Sequence, residues 1–317
     1  MSMYPCELHC HSVHSDGSFQ ISELQQAARA DDLALIALTD HNTVSGWDDL
    51  DDGIIPAIRG IEWTTYFGHI LVLGCKDFVD WRDARPYNID CKLSEAREKG
   101  GVIGIAHPCQ IGSPVCTGGR FEFEIEDWSL VDYVEVLHDD LRAFSNENDN
   151  APVFWTNLLD RGFKLAAVYG RDWHAYSRGG HYGVTYIDID GEVNEANALE
   201  AIKAGRTVVS GGFGFSVKVA ANGREYRLGE TVPEGEAELL FDVDLSSRGD
   251  KLSDERLEFT SIKIFTNGGE VALEIPCDSK SAKLILEKGK WYRAELWGFI
   301  DGFNKHMAIT SPVYCEY

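Results

Sequence analysis

Glu7-Leu8-His9-Cys10-His11 reads as a short strand whose alternation puts His9 and His11 on one face and Cys10 on the other. Two imidazoles so placed can grip one metal ion. A lone His-x-His pair is weak evidence, so its meaning depends on what else ends in the same place. Ile36-Ala37-Leu38-Thr39-Asp40-His41 is an apolar run that breaks at a carboxylate and an imidazole, as a parallel strand does where its carboxyl end opens into a site. Val102-Ile103-Gly104-Ile105-Ala106-His107 does the same, and Ile58-Arg59-Gly60-Ile61 ends at Glu62. The run Leu165 to Tyr169 leads into Asp172-Trp173-His174, where Trp173 points the other way into a core. With Asp16 and His69, these form a set of metal-capable side chains at strand ends: His9, His11, Asp16, His41, Glu62, His69, His107, Asp172 and His174. Scattered core histidines do not produce that recurrence; a multinuclear metal site does.

Around these residues, strand-like apolar runs alternate with helical stretches as far as about residue 212, the pattern of βα units and a parallel sheet. Strands are expected near 6–11, 34–39, 56–62, 102–106, 131–137, 165–170, 183–188 and 206–210, with one more at 69–74. Helices are expected at 22–30, 93–99, 153–159 and 195–204. Beyond Gly211-Gly212 the period changes to short alternating runs joined by turn residues, with Thr266-Asn267-Gly268-Gly269 a strong hairpin signal. The expected division is an α/β barrel over residues 1–215 and a small antiparallel β-sandwich over 216–317. The second part has His306 as its only histidine, so its expected role is to cap or brace the barrel.

Composition bounds the function. The 317 residues carry a net charge of −23, and 34 of the 52 acidic residues lie in residues 1–215 against 16 of the 29 basic ones. Bound dications would offset part of that excess, and the remainder repels duplex nucleic acid. A small, anionic substrate held by metals and a few arginines is the expected partner. No segment approaches the ~20 apolar residues of a membrane span, and no signal-like start is seen, so no membrane partner and a cytoplasmic location are expected. The eight cysteines form no paired framework and read as reduced thiols. Asp48, Asp49, Asp51 and Asp52 read as a solvated face around Gly53.

The motifs His9-Cys10-His11-Ser12, Ser15-Asp16-Gly17, Thr39-Asp40-His41, Glu62, Ala106-His107-Pro108 and Asp172-Trp173-His174 resemble, in order, those of the polymerase and histidinol phosphatase (PHP) superfamily. The stretch Ala201-Ile202-Lys203-Ala204-Gly205-Arg206 leading to Val208-Val209-Ser210-Gly211, with the tail Thr310-Ser311-Pro312-Val313-Tyr314, resembles more loosely its CehA/McbA-like metallohydrolase branch. The resemblance implies a distorted (β/α)7 barrel of PHP type and two or three divalent ions of zinc, iron or manganese. It implies one ion on His9, His11, Glu62 and Asp172, a second on Glu62, His69 and His107, and a third on Asp16, His41 and His174, with Glu62 as bridge. It further implies a phosphoesterase that cleaves a small phosphate ester or short nucleotide with metal-activated hydroxide. A carbamate, carboxyl ester or amide hydrolase is the alternative, and a non-catalytic metal-binding protein with a ligand-binding β-domain is a third reading.

One departure bears on the substrate. Phosphatases of this superfamily often carry an arginine just beyond Ala-His-Pro, whereas here Cys109-Gln110-Ile111-Gly112 follows. Candidates to bind an anionic group are therefore Arg120, Arg142, Arg171 and Arg178. For proton transfer the candidates are His138, at the end of Val134-Glu135-Val136-Leu137, His181 in a glycine-rich loop, and Asp40 beside His41, with Glu62 in the catalytic centre.

Overall fold

The computed structural model describes residues 2–111, 121–142, 146–176, 180–248 and 256–315. Arg120 and Arg178 lie outside them. In the first part the chain forms β1 (Met3–Cys10), α1 (Ile21–Ala30), β2 (Leu35–Leu38), β3 (Ala57–Thr65), β4 (Gly68–Leu73), α2 (Ile89–Glu98), β5 (Val102–Ala106), β6 (Tyr133–His138), α3 (Asn146–Asp160), β7 (Ala166–Gly170), β8 (Val184–Asp188), α4 (Glu195–Lys203) and β9 (Thr207–Ser210). One curled sheet carries these strands in the order β9-β8-β1-β2-β3-β4-β5-β6-β7. No described helix is long and apolar enough to cross a membrane.

The mixed α/β architecture and the curled sheet agree with the barrel reading, but the expected run of parallel βα units does not. Strand β4 is antiparallel to β3, because only Tyr66 and Phe67 separate them and a parallel pair needs a crossover of a dozen or more residues, and it is antiparallel to β5 as well. Strand β8 is antiparallel to β1 and to β9. The chain after β7 stays beside the end of β1 through Trp173, so β8 starts there and runs back. Helix boundaries also differ. α2 begins at Ile89 because Ile89, Leu93 and Ala96 form one buried stripe, and α3 begins at Asn146 and runs through Pro152.

Two apolar layers result. Inside the curl, Leu8, Leu35, Ala37, Ile58, Leu71, Leu73, Tyr133, Ala166 and Val168 pack on Ala198, Ala201 and Ile202, so α4 forms the floor beneath the strand ends. Outside it, Leu24 and Ala28 of α1, Leu93 of α2 and Trp155 of α3 cover the other faces of the strands. The free edge of β7 is closed by hydroxyls rather than by another strand. Ala167 N–H donates to Ser311 Oγ (2.8 Å) and its carbonyl accepts from Thr207 Oγ1 (2.7 Å), while Tyr169 N–H donates to Thr185 Oγ1 (2.8 Å). Every second edge residue is thereby satisfied, as buried backbone requires.

The remaining chain is β10 (Gly214–Ala221), β11 (Arg224–Tyr226), β12 (Thr231–Val232), β13 (Gly235–Asp244), β14 (Leu257–Thr266), β15 (Glu270–Pro276), β16 (Ser281–Leu286), β17 (Trp291–Ile300), β18 (Phe303–Thr310) and β19 (Val313–Cys315). β11-β10-β13-β16 is a separate four-stranded sheet, whereas β18 pairs with β9 through Ala308–Ser210, Ile309–Val209 and Thr310–Val208. The larger sheet thus runs without a break from the first part into the second, and the division expected after residue 215 falls inside β10.

Candidate metal centre

The ligand candidates come from strand ends, from one strand interior and from the loops that follow the strands. His9 and His11 leave β1 toward the centre while Cys10 packs in the outer core, as alternation requires. His41 follows β2 and forms an isolated parallel bridge with Glu62. Glu62 does not end its strand: β3 continues to Thr65, so its carboxylate rises from a strand interior, with His69 on the paired strand β4. His107 follows β5 with φ +25°, and Asp172 follows β7 with φ +52°, backbone that L-residues other than glycine adopt at a cost of about 1–3 kcal/mol. Asp172 and His174 therefore stand on a turn, not on a strand. Trp173 between them bonds to both ligand candidates at the end of β1: its N–H donates to the His9 carbonyl (2.9 Å) and its carbonyl accepts from His11 N–H (3.0 Å). That bridge closes the barrel mouth at the metal centre.

The candidates converge in three groups that share Glu62 or His11. In the first, His9 Nε2 is 3.3 Å from Glu62 Oε2 and 3.2 Å from Asp172 Oδ1, and His11 Nε2 is 2.9 Å from Asp172 Oδ1 and 3.5 Å from Glu62 Oε2. In the second, Glu62 Oε1 is 2.8 Å from His69 Nδ1 and 3.2 Å from His107 Nε2. In the third, Asp16 Oδ1 is 3.4 Å from His41 Nε2 and 3.1 Å from His174 Nε2, with His11 alongside. Four ligands at about 2.0–2.1 Å from a tetrahedral ion lie roughly 3.3–3.4 Å apart, which most of these separations approach, while the His69–Glu62 and His11–Asp172 contacts are as short as hydrogen bonds.

The buried atoms show the same need. His9 Nε2, His11 Nε2, Glu62 Oε2, His69 Nε2 and Asp172 Oδ1 are buried without a hydrogen-bond partner among the described residues. Polar atoms left so would cost about 1–3 kcal/mol each, which a cation would relieve. Burial alone would raise Glu62 and Asp172, yet their histidine neighbours hold both carboxyls well below the usual carboxylate range. Burial lowers His11 and His107, leaving neutral imidazoles with lone pairs to donate. The residues present therefore fit divalent metal ions.

A second layer orients these ligands. His9 Nδ1 meets Glu135 Oε1 at 2.8 Å, and the other oxygen of Glu135 accepts His107 N–H at 2.8 Å. Glu7 Oε1 accepts the backbone N–H groups of His9 (3.0 Å) and Arg171 (3.1 Å), tying β1 to the turn that bears Asp172. Sequence reasoning passed over Glu135 and Glu7. The signal for Glu135 is a carboxylate inside an otherwise apolar strand, Val134-Glu135-Val136. Asp40 accepts Ser12 N–H (2.7 Å), Ser12 Oγ (2.7 Å) and Ser15 Oγ (2.6 Å), so it shapes the loop that delivers Asp16.

The other expected site residues divide. His138 lies inside the cluster, its Nε2 3.6 Å from Asp172 Oδ2. His181 is buried apart from the ligand groups and donates from Nε2 to the Gly211 carbonyl (2.9 Å). Arg171 is sandwiched between the rings of Trp173 (3.8 Å) and Tyr182 (4.3 Å) and paired with Asp31 at 2.9 Å, an arrangement that braces the Asp172 turn. Arg142, about a quarter exposed, pairs with Asp140 and Asp301.

The PHP domain family model matches residues 7–98, which run from β1 to the end of α2 and include His9, His11, Asp16, His41, Glu62 and His69. Over those residues the chain is similar to the PHP domain. A 5'-3' exoribonuclease from Haemophilus influenzae is 38% identical over 63 residues, 19% of this chain and 23% of that relative's length. Among solved structures, a two-domain protein from Bacteroides vulgatus containing a predicted PHP-like metal-dependent phosphoesterase is similar over 98% of this chain and 95% of its own, with a TM-score of 0.52 and 17% identity. The fold over nearly the whole chain is therefore shared with that protein. An amidohydrolase from Chromobacterium violaceum with bound SO4 aligns over 62% of this chain and 96% of its own, at a TM-score of 0.39 and 18% identity.

Proposed function

We propose that this chain is a metal-dependent phosphoesterase that cleaves a small phosphate ester or a short nucleotide at a two- or three-metal centre. One observation carries the reading: buried Glu62 presents Oε2 to His9 and His11 and Oε1 to His69 and His107, a bridging carboxylate between two ligand groups. Mixed nitrogen and oxygen donors suit zinc, iron(II) or manganese(II) better than calcium or magnesium. Such ions supply Lewis acidity and lower the pKa of a bound water to about 7.

The chain's own residues then hold, screen and orient. Glu62 and Asp172, both ionised, repel an anionic substrate until cations offset them, so substrate binding follows metal loading. Glu135 and Glu7 fix His9 and the Asp172 turn, and Asp40 fixes the Asp16 loop. Of the arginine candidates in the described residues, Arg171 is committed to Asp31 and two rings and Arg142 is paired with Asp140 and Asp301, so an anionic group would have to displace one of those partners or be held by the metals. The exoribonuclease relative supports a phosphodiester or nucleotide substrate, and the net charge of −23 favours a short strand over a duplex. We propose that residues 1–215 carry the chemistry and 216–317 brace it through β18 and Ser311.

The second reading, hydrolysis of a carbamate, carboxyl ester or amide, is favoured by Cys109-Gln110 standing where an arginine would bind phosphate. The experiment is turnover by the Zn(II)-, Fe(II)- and Mn(II)-loaded protein on a phosphomonoester, a phosphodiester, a dinucleotide, a carboxyl ester and a carbamate. Phosphoester cleavage lost in His9→Ala supports the first reading. Activity confined to carbon-centred esters replaces it with the second.

A further inference from the structure

We propose that His138 is a metal ligand, forming with His107 and Asp172 an alternative seat for the ion that His107 would otherwise share with Glu62 and His69. The inference rests on the metal-centre reading, and not on which ester is cleaved. Strand β6 carries an irregularity between Glu135 and Leu137: Glu135 pairs with Val168, and Leu137 pairs with the very next residue, Tyr169. The extra residue resets the alternation. Val136 and Leu137 consequently both pack in the outer core, while Tyr133 lies in the inner one and His138 returns to the inside three residues after Glu135. A regular strand would put Glu135 and His138 on opposite faces.

The ring is held where the bulge aims it. Asn148 of α3 clamps the His138 backbone from both sides, accepting its N–H at Oδ1 (2.7 Å) and donating from Nδ2 to its carbonyl (3.0 Å). His138 Nε2 is buried with no hydrogen-bond partner among the described residues. It stands 3.6 Å from Asp172 Oδ2, longer than a hydrogen bond and close to the ligand–ligand edge of a cation site. The His107 and His138 rings are 4.9 Å apart at 69°, and one donor atom from each of His107, His138 and Asp172 lies within 4.8 Å of the others. Asp172 would then bridge as Glu62 does, offering Oδ1 to His9 and His11 and Oδ2 to His138. His107 belongs to two groups, so the second ion has two alternative seats, one with Glu62 and His69 and one with His138 and Asp172. A ligating Nε2 carries no proton, so the proposal removes His138 from the proton-donor candidates.

The test is equilibrium dialysis of Zn(II), Co(II) and Mn(II) against wild type and His138→Gln, with ions per chain counted and the Co(II) visible spectrum recorded. The expected result is at least a ~10-fold weaker affinity for one ion in His138→Gln, with the remaining ions retained and a changed Co(II) spectrum. Unchanged count, affinity and spectrum, with only one limb of the pH–rate profile altered, would make His138 a proton donor and overturn the proposal. Anomalous scattering from Zn(II)-loaded wild-type crystals answers the same question without a variant. An ion about 2.0–2.1 Å from His138 Nε2 supports the seat, and ions confined to the other groups refute it. Absence of any bound ion in wild type would instead remove the metal-centre reading itself.

Discussion

Nδ1 of His9 lies 2.8 Å from Oε1 of Glu135, with both side chains fully buried, and the second oxygen of Glu135 holds the backbone N–H of His107. One carboxylate thus orients ligand candidates of two groups, turning His9 Nε2 toward Glu62 and Asp172. Glu135→Gln can still accept from His9, but its amide then faces the His107 N–H donor to donor. A loss of about 10–100-fold in metal affinity is expected, measured by competition with a chromophoric chelator. Gly170→Ala should act through the same carboxylate, because an added Cβ would come within 2.2 Å of Glu135 Oε1.

Glu62→Gln keeps the volume of the side chain and removes the charge that two imidazole groups share. Activity should fall by roughly 100-fold or more, with fewer ions per chain and an almost unchanged unfolding midpoint. Wild-type turnover in this variant would rule out the bridging role.

Ser311 reaches from the end of the C-terminal sheet to accept Ala167 N–H and to meet the Thr207 hydroxyl at 2.7 Å. Ser311→Ala leaves a buried backbone donor unpaired on β7, at a cost of about 1–3 kcal/mol in urea unfolding, with metal content of the folded protein intact. Truncation after residue 215 also strips β9 of its partner β18 and should yield insoluble chain. A soluble, metal-loaded truncation would show that the first part stands alone.

Glu295 is buried on β17 against Arg293 (2.9 Å), Trp297 and His306 (2.9 Å). Burial would raise its carboxyl, but Arg293 and His306 prevail and hold it down at about 2. A depressed folded value stabilises above the unfolded value of about 4.3 and is lost as pH falls from there toward 2. The contribution is on the order of 3 kcal/mol. Stability measured from pH 5 to 2.5 should fall less steeply in Glu295→Gln than in wild type, and equal slopes would contradict the assignment.

How much was legible follows from where each residue sits. His41 and His107 show in the sequence because apolar runs stop just before them, and His9 with His11 because they alternate with Cys10, whereas Glu62 and His69 lie within paired strands and Asp16 in a turn. The hairpin joining β3 to β4 was hidden by reading Glu62 as a strand end, since a strand ending there leaves room for a crossover. Glu135 and His138 were legible as polar residues on one strand, but the bulge that puts both inside is a property of pairing with β7. Arg171 reads as a substrate-binding cation until Trp173 and Tyr182 are seen on its two faces. The hydroxyl closure of β7 joins Ala167 to Ser311 across 144 positions, beyond any local pattern.

The central claim is tested most directly by stripping the protein with chelator and titrating Mn(II) or Zn(II) back while following hydrolysis of a phosphodiester and counting bound ions in the same samples. Phosphoester turnover that is absent in the stripped protein, rises with the second bound ion and is lost in His9→Ala is the predicted result. Turnover that persists in stripped protein, or full metal loading with no phosphoester cleavage, would contradict the account.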